Sequence, residues 1–297
     1  MTSRKPKILA IVGATASGKS ALAVRLAKKI NGEVVSVDSR QVYRGLNIGT
    51  GKITKREMQG VPHHMLDVAS PKRQYSVVLY IEQTRKIITQ IFKRGKVPIL
   101  CGGTGFYLSI ILGEMVAAPA PINSKLRKQL EVKSAAELFK MLRKLDPKRA
   151  KVIDRHNKVR LIRSIEIAKA LGRMPKITNK KQYITYKIGL LLTPPELKKR
   201  IHIRLFDRII EGMIAEAKRL HKQGLSWKRM EALGLEYRYL ARHLQNKITK
   251  SEMIRQLEAE IWHYAKRQKT WFKRDKEIRW FKPKEISKIE AAVKKFL

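Results

Sequence analysis

Short apolar runs alternate with amphipathic stretches over the first third of the chain. Residues 8–12, 34–37 and 97–101 are almost entirely apolar, which is typical of strands that are buried on both faces. Residues 20–30 and 76–94 instead carry apolar side chains at helical spacing. This order of strands and helices predicts an α/β fold in which a parallel sheet has helices on both faces.

The alternation stops at residues 117–121, a segment that contains two prolines. Three basic stretches with helical patterning follow at 125–132, 135–145 and 157–171, and an apolar strand pattern returns at 186–192. We infer that a helical insertion interrupts the sheet domain and that the chain then rejoins it. The remaining sequence is helical in pattern and ends in a short tail, with helices predicted at 196–223, 235–245 and 249–274.

The chain is strongly basic, with 66 Lys and Arg residues against 24 Asp and Glu residues and a formal net charge of +42. The excess is densest in residues 120–190, where 20 basic residues stand against 5 acidic ones. A generally basic proteome would enrich every exposed face in Lys, but the charge here is not uniform. The balance favours polyanionic partners, either nucleic acid or an anionic membrane.

The chain contains one cysteine, Cys101, so no disulfide can form within it, which is typical of a reducing cytosol. No apolar run approaches the roughly 18 residues that a membrane-spanning helix needs. We therefore expect a cytoplasmic protein without a membrane partner. A monomer is sufficient for every feature of the sequence.

The segment from Gly13 to Ser20 matches the P-loop pattern G-x-x-x-x-G-K-[ST] between a predicted strand and a predicted helix. Glycines allow backbone N–H groups to surround phosphate oxygens, and the helix N-terminus adds partial positive charge. Lys19 is expected to contact terminal phosphates and the Ser20 hydroxyl to bind Mg²⁺. The predicted diphosphate- or nucleotide-binding residues are Gly13, Ala14, Thr15, Ala16, Ser17, Gly18, Lys19 and Ser20.

An ATP-hydrolysing motor would carry an acidic residue at the end of an apolar strand near this loop, but the strand at 97–101 ends in Cys-Gly-Gly. The motif indicates phosphate without specifying a nucleotide such as ATP. It favours a transferase whose loop holds a leaving phosphate or diphosphate. The predicted organisation is a P-loop NTPase-like core with C-terminal helices, formed by residues 1–119 and 186–297, around a basic helical insertion at 120–185.

Asp38 and Thr104 follow two further predicted strands. Because the carboxyl ends of parallel strands meet at one edge of a sheet, both side chains are candidates to reach a ligand of the P-loop. Asp38 is placed to act as a general base, although an Asp that only caps the next turn fits about as well. The Gly-Gly-Thr-Gly segment around Thr104 equally fits a ligand contact or a tight strand-to-helix turn.

Basic residues at helical spacing are candidate RNA contacts. Arg160 and Arg163 lie three residues apart in the most basic segment, where a solvated helix face is the simpler interpretation. In the last long helix, aromatic residues interleave with basic ones, and the basic residues are the better candidates. The adjacent His63 and His64 have poor geometry for a shared metal and are interpreted as structural or as orienting Asp67.

Taken together, these stretches resemble the tRNA dimethylallyltransferases, also called tRNA isopentenyltransferases. The run Asp-Ser-Arg-Gln-Val-Tyr that begins at Asp38, downstream of such a P-loop, is highly specific. Further matches follow in order along nearly the whole chain, within residues 48–50, 62–67, 102–108, 157–167 and 264–271.

The resemblance implies transfer of a dimethylallyl group from dimethylallyl diphosphate to the exocyclic amine of the adenosine directly 3′ of the anticodon in tRNA. It implies catalytic roles for Asp38 as the base, for Thr104 beside the reacting nucleotide or diphosphate and for Lys19, with Mg²⁺ as cofactor near Ser20. The target base would leave the anticodon stack to reach a buried site. The residues that it places against tRNA are Asp38, Ser39, Arg40, Gln41, Thr104, Arg127, Val159, Arg160, Leu161, Ile162, Arg163, Lys266, Arg267, Gln268 and Lys273.

The sequence departs from the family pattern at a few positions. Ala14 stands where the family usually has Pro, and Ser20 where it often has Thr; both changes are mild. Leu235 and Glu236 replace an aromatic and a basic residue, which weakens any tRNA contact predicted there.

Two other functions stay open at this point. One is a prenyltransferase or P-loop kinase that acts on a free nucleotide or small metabolite, which the basic middle segment disfavours. The other is a non-catalytic RNA-binding protein on a degenerate P-loop fold, which the intact Lys19, Ser20 and Asp38 disfavour.

Overall fold

The computed structural model describes residues 5–173, 175 and 182–297. The chain forms two compact units, one of Met1–Leu112 with Lys181–Leu297 and one of Gly113–Lys180. The second unit overlaps the insertion predicted at 120–185 but begins and ends earlier along the chain. Residues 174 and 176–181 of that predicted range lie outside the described part.

The first unit is built on a sheet of parallel strands. They are β1 (Lys7–Gly13), β2 (Gly32–Val37), β3 (His63–His64), β4 (Val97–Gly102), β5 (Ile184–Leu190) and β6 (Ile278–Phe281). The order across the sheet is β3-β2-β4-β1-β5-β6. The predicted parallel α/β fold is therefore confirmed. The short edge strands β3 and β6 carry too little pattern to be predicted.

Helices flank the sheet and form the C-terminal region. In the first unit these are α1 (Lys19–Lys29), α2 (Lys55–Met58), α3 (Val77–Lys93), α4 (Gly105–Ile111), α9 (Pro194–Ile210), α10 (Met213–Lys222), α11 (Trp227–Leu233), α12 (Leu235–Leu244), α13 (Lys250–Phe272) and α14 (Ile286–Phe296). The single helix predicted at 196–223 is wrong: it is two helices, because Gly212 takes a φ of 99° between α9 and α10. The predicted tail contains β6 and α14.

The core of the sheet explains why β1 reads as an uninterrupted apolar run. Strands cover β1 on both sides, and all its residues except Lys7 are buried. Leu9 and Ile11 pack in one cluster with Leu22 and Leu26 of α1 and with Ile289 of α14. This packing fixes α1 directly behind the P-loop.

The insertion unit has its own core. Its helices are α5 (Ser124–Glu131), α6 (Ala135–Leu145), α7 (Pro147–Ala150) and α8 (Lys158–Leu171). Leu138, Leu142, Leu161 and Ile165 pack together in its centre. The side chains of the residues before α5, α6 and α8 accept hydrogen bonds from backbone N–H groups in the first turn of each helix. These N–H groups have no partner within the helix, so the caps stabilise its start. No helix in the described part of the chain is both long and apolar enough to cross a membrane.

The two adjacent histidines have separate partners. His64 Nε2 lies 2.6 Å from Glu33 Oε2, and His63 Nδ1 lies 2.9 Å from the carbonyl oxygen of Val61. Asp67 instead accepts a hydrogen bond from Lys52 Nζ at 2.6 Å. The structural interpretation of the histidines is confirmed, and the suggestion that they orient Asp67 is wrong.

Glu33 is a buried carboxylate in β2, near the amino end of that strand. Arg94 Nη2 donates to it at 2.7 Å, and Lys96 Nζ lies 3.1 Å from its other oxygen. Burial alone would raise the pKa of Glu33, but hydrogen bonds from Arg94, His64 and Lys96 outweigh it and hold the pKa at about 2.

We predict that Glu33→Gln lowers the free energy of unfolding by about 2 kcal/mol at neutral pH, because the charged pairs of the carboxylate are lost. The loss is not larger because Arg94 is partly exposed and solvent screens part of the pairing energy. The folded pKa lies below the unfolded value, so the carboxylate stabilises the fold fully above about pH 4.5 and progressively less towards pH 2. Urea denaturation of both proteins at neutral and acidic pH measures the difference. A difference that does not shrink on acidification contradicts the prediction.

Candidate active site

A pocket opens in the first unit where β1, β2 and β4 end. The P-loop, the loops that follow β2 and β4, and residues of α9, α12 and α13 line it. Parallel pairing produces this arrangement, since β4 pairs with both β1 and β2 and brings three carboxyl ends together. The residues predicted from sequence that line the pocket are Thr15, Lys19, Ser20, Asp38, Arg40, Gln41 and Gln268.

The P-loop has the backbone that its sequence predicts. Gly18 precedes α1 with a φ of 92°, and Ala16 takes a φ of 60°, which is uncommon for a residue with a side chain. Lys19 Nζ donates to the carbonyl oxygen of Ala14 at 2.6 Å, so its ammonium group lies across the loop. Within the loop Ser17 is buried, whereas Ser20 is exposed in the first turn of α1.

Arg204 of α9 is a second cation in this pocket, which the sequence did not single out. Its Nη2 donates to the carbonyl oxygen of Gly51 at 3.1 Å, and no carboxylate pairs with it among the described residues. Burial and the neighbouring Arg208 lower the pKa of Arg204. The only sequence signal was the spacing of Arg200, Arg204 and Arg208 along one helix, which a solvated face shows equally often.

Lys19 is affected by the same surroundings. Burial lowers its pKa to about 8, and the positive charge of Arg204 acts in the same direction. Two cations that disfavour each other in a partly buried pocket form a site for an anion. Bound phosphate oxygens would relieve both the burial penalty and the repulsion.

Arg208 has a carboxylate partner, whereas Arg204 has none among the described residues. Arg208 Nη1 lies 3.1 Å from Glu236 Oε1 and donates to the carbonyl oxygen of Gly49 at 3.4 Å. Burial raises the pKa of Glu236, and Arg208 opposes that rise. The Leu235 and Glu236 departure from the family pattern thus forms part of the pocket wall, together with Ile261.

Asp38 both caps a turn and lines the pocket, so the two interpretations of it are compatible. Its Oδ1 accepts hydrogen bonds from the backbone N–H groups of Arg40 at 2.7 Å and Gln41 at 3.3 Å. Thr104 Oγ1 accepts from Ser39 N at 3.3 Å, which joins the loop after β4 to the loop after β2. The carboxylate is therefore held in a defined orientation, and Thr104 is bonded to Ser39, the next residue along the chain, although Thr104 is not among the residues that line the pocket.

Gln268 of α13 joins two loops of the site. Its Oε1 accepts from Thr15 N at 2.8 Å, and its Nε2 donates to the carbonyl oxygen of Gly103 at 3.0 Å. The side chain is 6 % exposed. A Cβ at Gly103 would lie 2.0 Å from Nε2, so only glycine permits this contact. Gln268 was predicted to contact tRNA, but its amide is placed inside the pocket with both ends bonded.

The arginines predicted to contact tRNA in the insertion unit are organised by a buried carboxylate. Arg127 donates from Nε and Nη2 to the two oxygens of Glu166, each at 2.8 Å. Arg163 donates to Glu166 Oε2 at 3.0 Å and to the carbonyl oxygen of Ala120 at 2.7 Å. Both arginines are half-buried, and their tRNA contacts stay predictions.

The remaining positions predicted for tRNA differ in exposure. Leu161 and Ile162 pack in the core of the insertion unit, which leaves no exposed side chain for the contacts predicted there. Because both residues lie in a basic segment, the sequence did not show that they face the core on the inner side of α8. The exposed predicted positions are Val159, Arg160, Lys266, Arg267 and Lys273.

Magnesium would have few protein ligands at this site. No group of three or more His, Cys, Asp or Glu side chains that could hold a metal occurs in residues 5–173, 175 and 182–297. The exposed Ser20 hydroxyl is the candidate ligand. This donor set fits Mg²⁺, which keeps several waters and binds proteins largely through substrate phosphates.

Fold and site together define a P-loop protein whose pocket sets the cations of Lys19 and Arg204 beside the carboxylate of Asp38. Comparison with known proteins agrees. The sequence model of the family described as IPP transferase matches residues 41–275, and that of isopentenyl transferase matches residues 6–75.

Individual relatives span nearly the full length. A tRNA dimethylallyltransferase 2 of Treponema denticola is 41 % identical over 92 % of this chain and 93 % of its own. The solved tRNA isopentenylpyrophosphate transferase of Bacillus halodurans has a TM-score of 0.75 and 34 % identity, covering 99 % of this chain and 97 % of its own. A eukaryotic dimethylallyltransferase solved acting on tRNA has a TM-score of 0.80, 26 % identity and coverage of 98 % and 77 %.

The chain belongs to the IPP transferase family, the tRNA dimethylallyltransferases. The resemblance inferred from its motifs is thereby confirmed, and the protein is a prenyltransferase enzyme of that family. The comparisons support neither a free-metabolite kinase nor a non-catalytic RNA-binding protein.

We predict that Gln268→Leu weakens the binding of inorganic pyrophosphate about tenfold, because the two hydrogen bonds by which this side chain joins the P-loop to the loop after β4 are lost. The affinity of Gln268→Leu for tRNA should change less than about twofold. Isothermal titration calorimetry with each ligand measures both. Lys273→Gln, an exposed position near the end of the same helix, is the matched control and should show the opposite pattern. Loss of tRNA affinity alone in Gln268→Leu would instead support a direct RNA contact.

Proposed function

We propose that this chain transfers the dimethylallyl group of dimethylallyl diphosphate to the exocyclic amine of the adenosine directly 3′ of the anticodon in tRNA. The observation that carries the proposal is one pocket in which the cationic side chains of Lys19 and Arg204 lie with the P-loop beside the carboxylate of Asp38. A diphosphate would occupy the cationic side, and the nucleophile would approach from the side of Asp38.

The leaving group sets the main electrostatic requirement. As the bond between the allylic carbon and the diphosphate oxygen breaks, negative charge grows on the diphosphate and positive charge on the carbon. Lys19, Arg204 and the N–H groups at the start of α1 stabilise the diphosphate. Mg²⁺ bound at Ser20 and the phosphates would supply further positive charge. Leu235 and Ile261 offer apolar contacts to the hydrocarbon chain.

Asp38 supplies the complementary step. An adenine amine is a weak nucleophile, and forming the new N–C bond releases one of its protons. The carboxylate of Asp38 accepts that proton while the N–H groups of Arg40 and Gln41 hold its orientation. Because the pocket is partly buried, the base must be flipped out of its stack to enter.

Recognition of tRNA is assigned to exposed basic residues rather than to the pocket. Arg160 of α8 and Lys266, Arg267 and Lys273 at the end of α13 are suited to backbone phosphates. Arg127 and Arg163, held by Glu166, keep further N–H donors for the same purpose. We propose that the enzyme acts in the cytoplasm as a monomer.

The test is mass spectrometry of unmodified tRNA after incubation with the protein, Mg²⁺ and dimethylallyl diphosphate, with AMP as the competing acceptor. We expect one dimethylallyl group on the adenosine 3′ of the anticodon and none on AMP. Asp38→Asn should lower kcat at least about 100-fold with little change in the KM for the diphosphate. Asp207→Asn, an exposed carboxylate on α9, is the control and should keep full activity. Labelling of AMP alone, or an active Asp38→Asn, would refute the assignment.

A second prediction concerns pH. Because burial lowers the pKa of Lys19 to about 8, the side chain is charged at neutral pH and loses its charge as the pH rises through that value. We therefore expect kcat/KM for dimethylallyl diphosphate to fall about tenfold per pH unit above about pH 8. In Lys19→Arg this decline should move to higher pH, since a guanidinium stays charged. An unchanged pH profile in Lys19→Arg would show that another group titrates.

A further inference from the structure

Glu216 of α10 is a buried carboxylate outside the pocket that binds a whole turn of backbone. It is 1 % exposed. Its Oε2 accepts from Asn47 N at 3.0 Å and Ile48 N at 2.9 Å, and its Oε1 accepts from Gly49 N at 3.0 Å. Tyr237 donates its hydroxyl to Oε1 at 2.7 Å. Four donors therefore converge on one carboxylate.

The loop that Glu216 binds, residues 47–51, is also tightly packed. A Cβ at Gly49 would lie 2.7 Å from the Tyr237 ring, so the backbone rests directly on that ring. Lys52 Nζ donates to Asn47 Oδ1 at 3.0 Å and to Asp67 Oδ1 at 2.6 Å, which fixes the loop from another side. The loop has little freedom to move while these bonds hold.

The carbonyl groups of the same loop bind the arginines of the pocket. The carbonyl oxygen of Gly51 accepts from Arg204 Nη2 at 3.1 Å and from Gln41 Nε2 at 3.3 Å, and that of Gly49 accepts from Arg208 Nη1 at 3.4 Å. Gly51 has a φ of 56°, and a Cβ there would lie 2.5 Å from Arg204 Nη2. Loop 47–51 thus joins Glu216 on one side to Arg204 on the other.

We propose that Glu216 is a positioning residue that sets the place of the Arg204 guanidinium in the diphosphate site by orienting loop 47–51. Arg204 has no carboxylate partner among the described residues, so the Gly51 carbonyl is what directs its long side chain. Glu216 accepts three hydrogen bonds from the loop backbone, one of them from Ile48 N. The carbonyl oxygen of the same peptide, that of Asn47, accepts from Lys52 N at 3.0 Å, and the peptide of Lys52 carries the Gly51 carbonyl that binds Arg204. A chain of hydrogen bonds of this kind fixes the peptide planes and strengthens the last acceptor. This inference rests on the proposed function of the pocket.

Glu216→Gln is the informative substitution, because an amide has the same shape but cannot accept from four donors. We expect the dissociation constant for inorganic pyrophosphate and the KM for dimethylallyl diphosphate to rise about tenfold, with the KM for tRNA unchanged within about twofold. Tyr237→Phe, which removes one of the four donors, should show a rise of about twofold to threefold. If Glu216→Gln does not fold, the rise in the dissociation constant of Tyr237→Phe is the measurement that tests the proposal.

A double-mutant cycle separates positioning from general stability. In an Arg204→Ala background, Glu216→Gln should change pyrophosphate affinity less than about twofold, because the group it positions is gone. Glu33→Gln changes a buried carboxylate that has three basic side-chain partners in the same unit; it is the matched control and should leave pyrophosphate affinity unchanged in both backgrounds.

The outcomes distinguish this inference from the proposed function. Additive effects of Glu216→Gln and Arg204→Ala, or an equal loss in Glu33→Gln, overturn the inference. If the wild-type protein binds pyrophosphate but does not prenylate tRNA, the proposed function fails while the positioning role still stands or falls by the cycle. Thermal unfolding measured on the same samples is the check that each variant is folded.

Discussion

Parallel pairing of β4 with both β1 and β2 is the constraint on which the site depends. Val12 and Val37 each align with Gly102, so the P-loop, Asp38 and Thr104 all emerge at one edge of the sheet. The buried apolar strands that favour this pairing carry no chemistry themselves, yet they decide which polar residues meet.

Around that edge, uncompensated positive charge is kept in place by neutral groups. Carbonyl oxygens hold Lys19 and Arg204, and an amide, Gln268, holds the phosphate loop. Carboxylates are set against other cations, as Glu236 is against Arg208. A carboxylate bonded directly to Arg204 would neutralise the charge that a diphosphate needs, whereas carbonyl groups orient the guanidinium without cancelling it.

In both units a buried carboxylate sets the position of arginine side chains. In the insertion, buried Glu166 fixes Arg127 and Arg163 directly, and in the first unit buried Glu216 acts through a loop. Both carboxylates are hydrogen-bonded fully enough to be tolerated in a core. In a chain of this basic composition, the few buried acids thus contribute more to the arrangement of cations than their number suggests.

The sequence by itself determined the local and periodic features: the buried strands, the P-loop, the helices of the insertion and the candidate Asp38. These follow from side-chain patterning and backbone chemistry within a few residues. Only the tertiary structure decided that Arg204 enters the pocket, that Gln268 bridges two loops, that Leu161 and Ile162 face a core and that β6 completes the sheet. The physical reason is that burial and long-range hydrogen bonding depend on which segments pack together, and a helix pattern alone does not say what lies against each face.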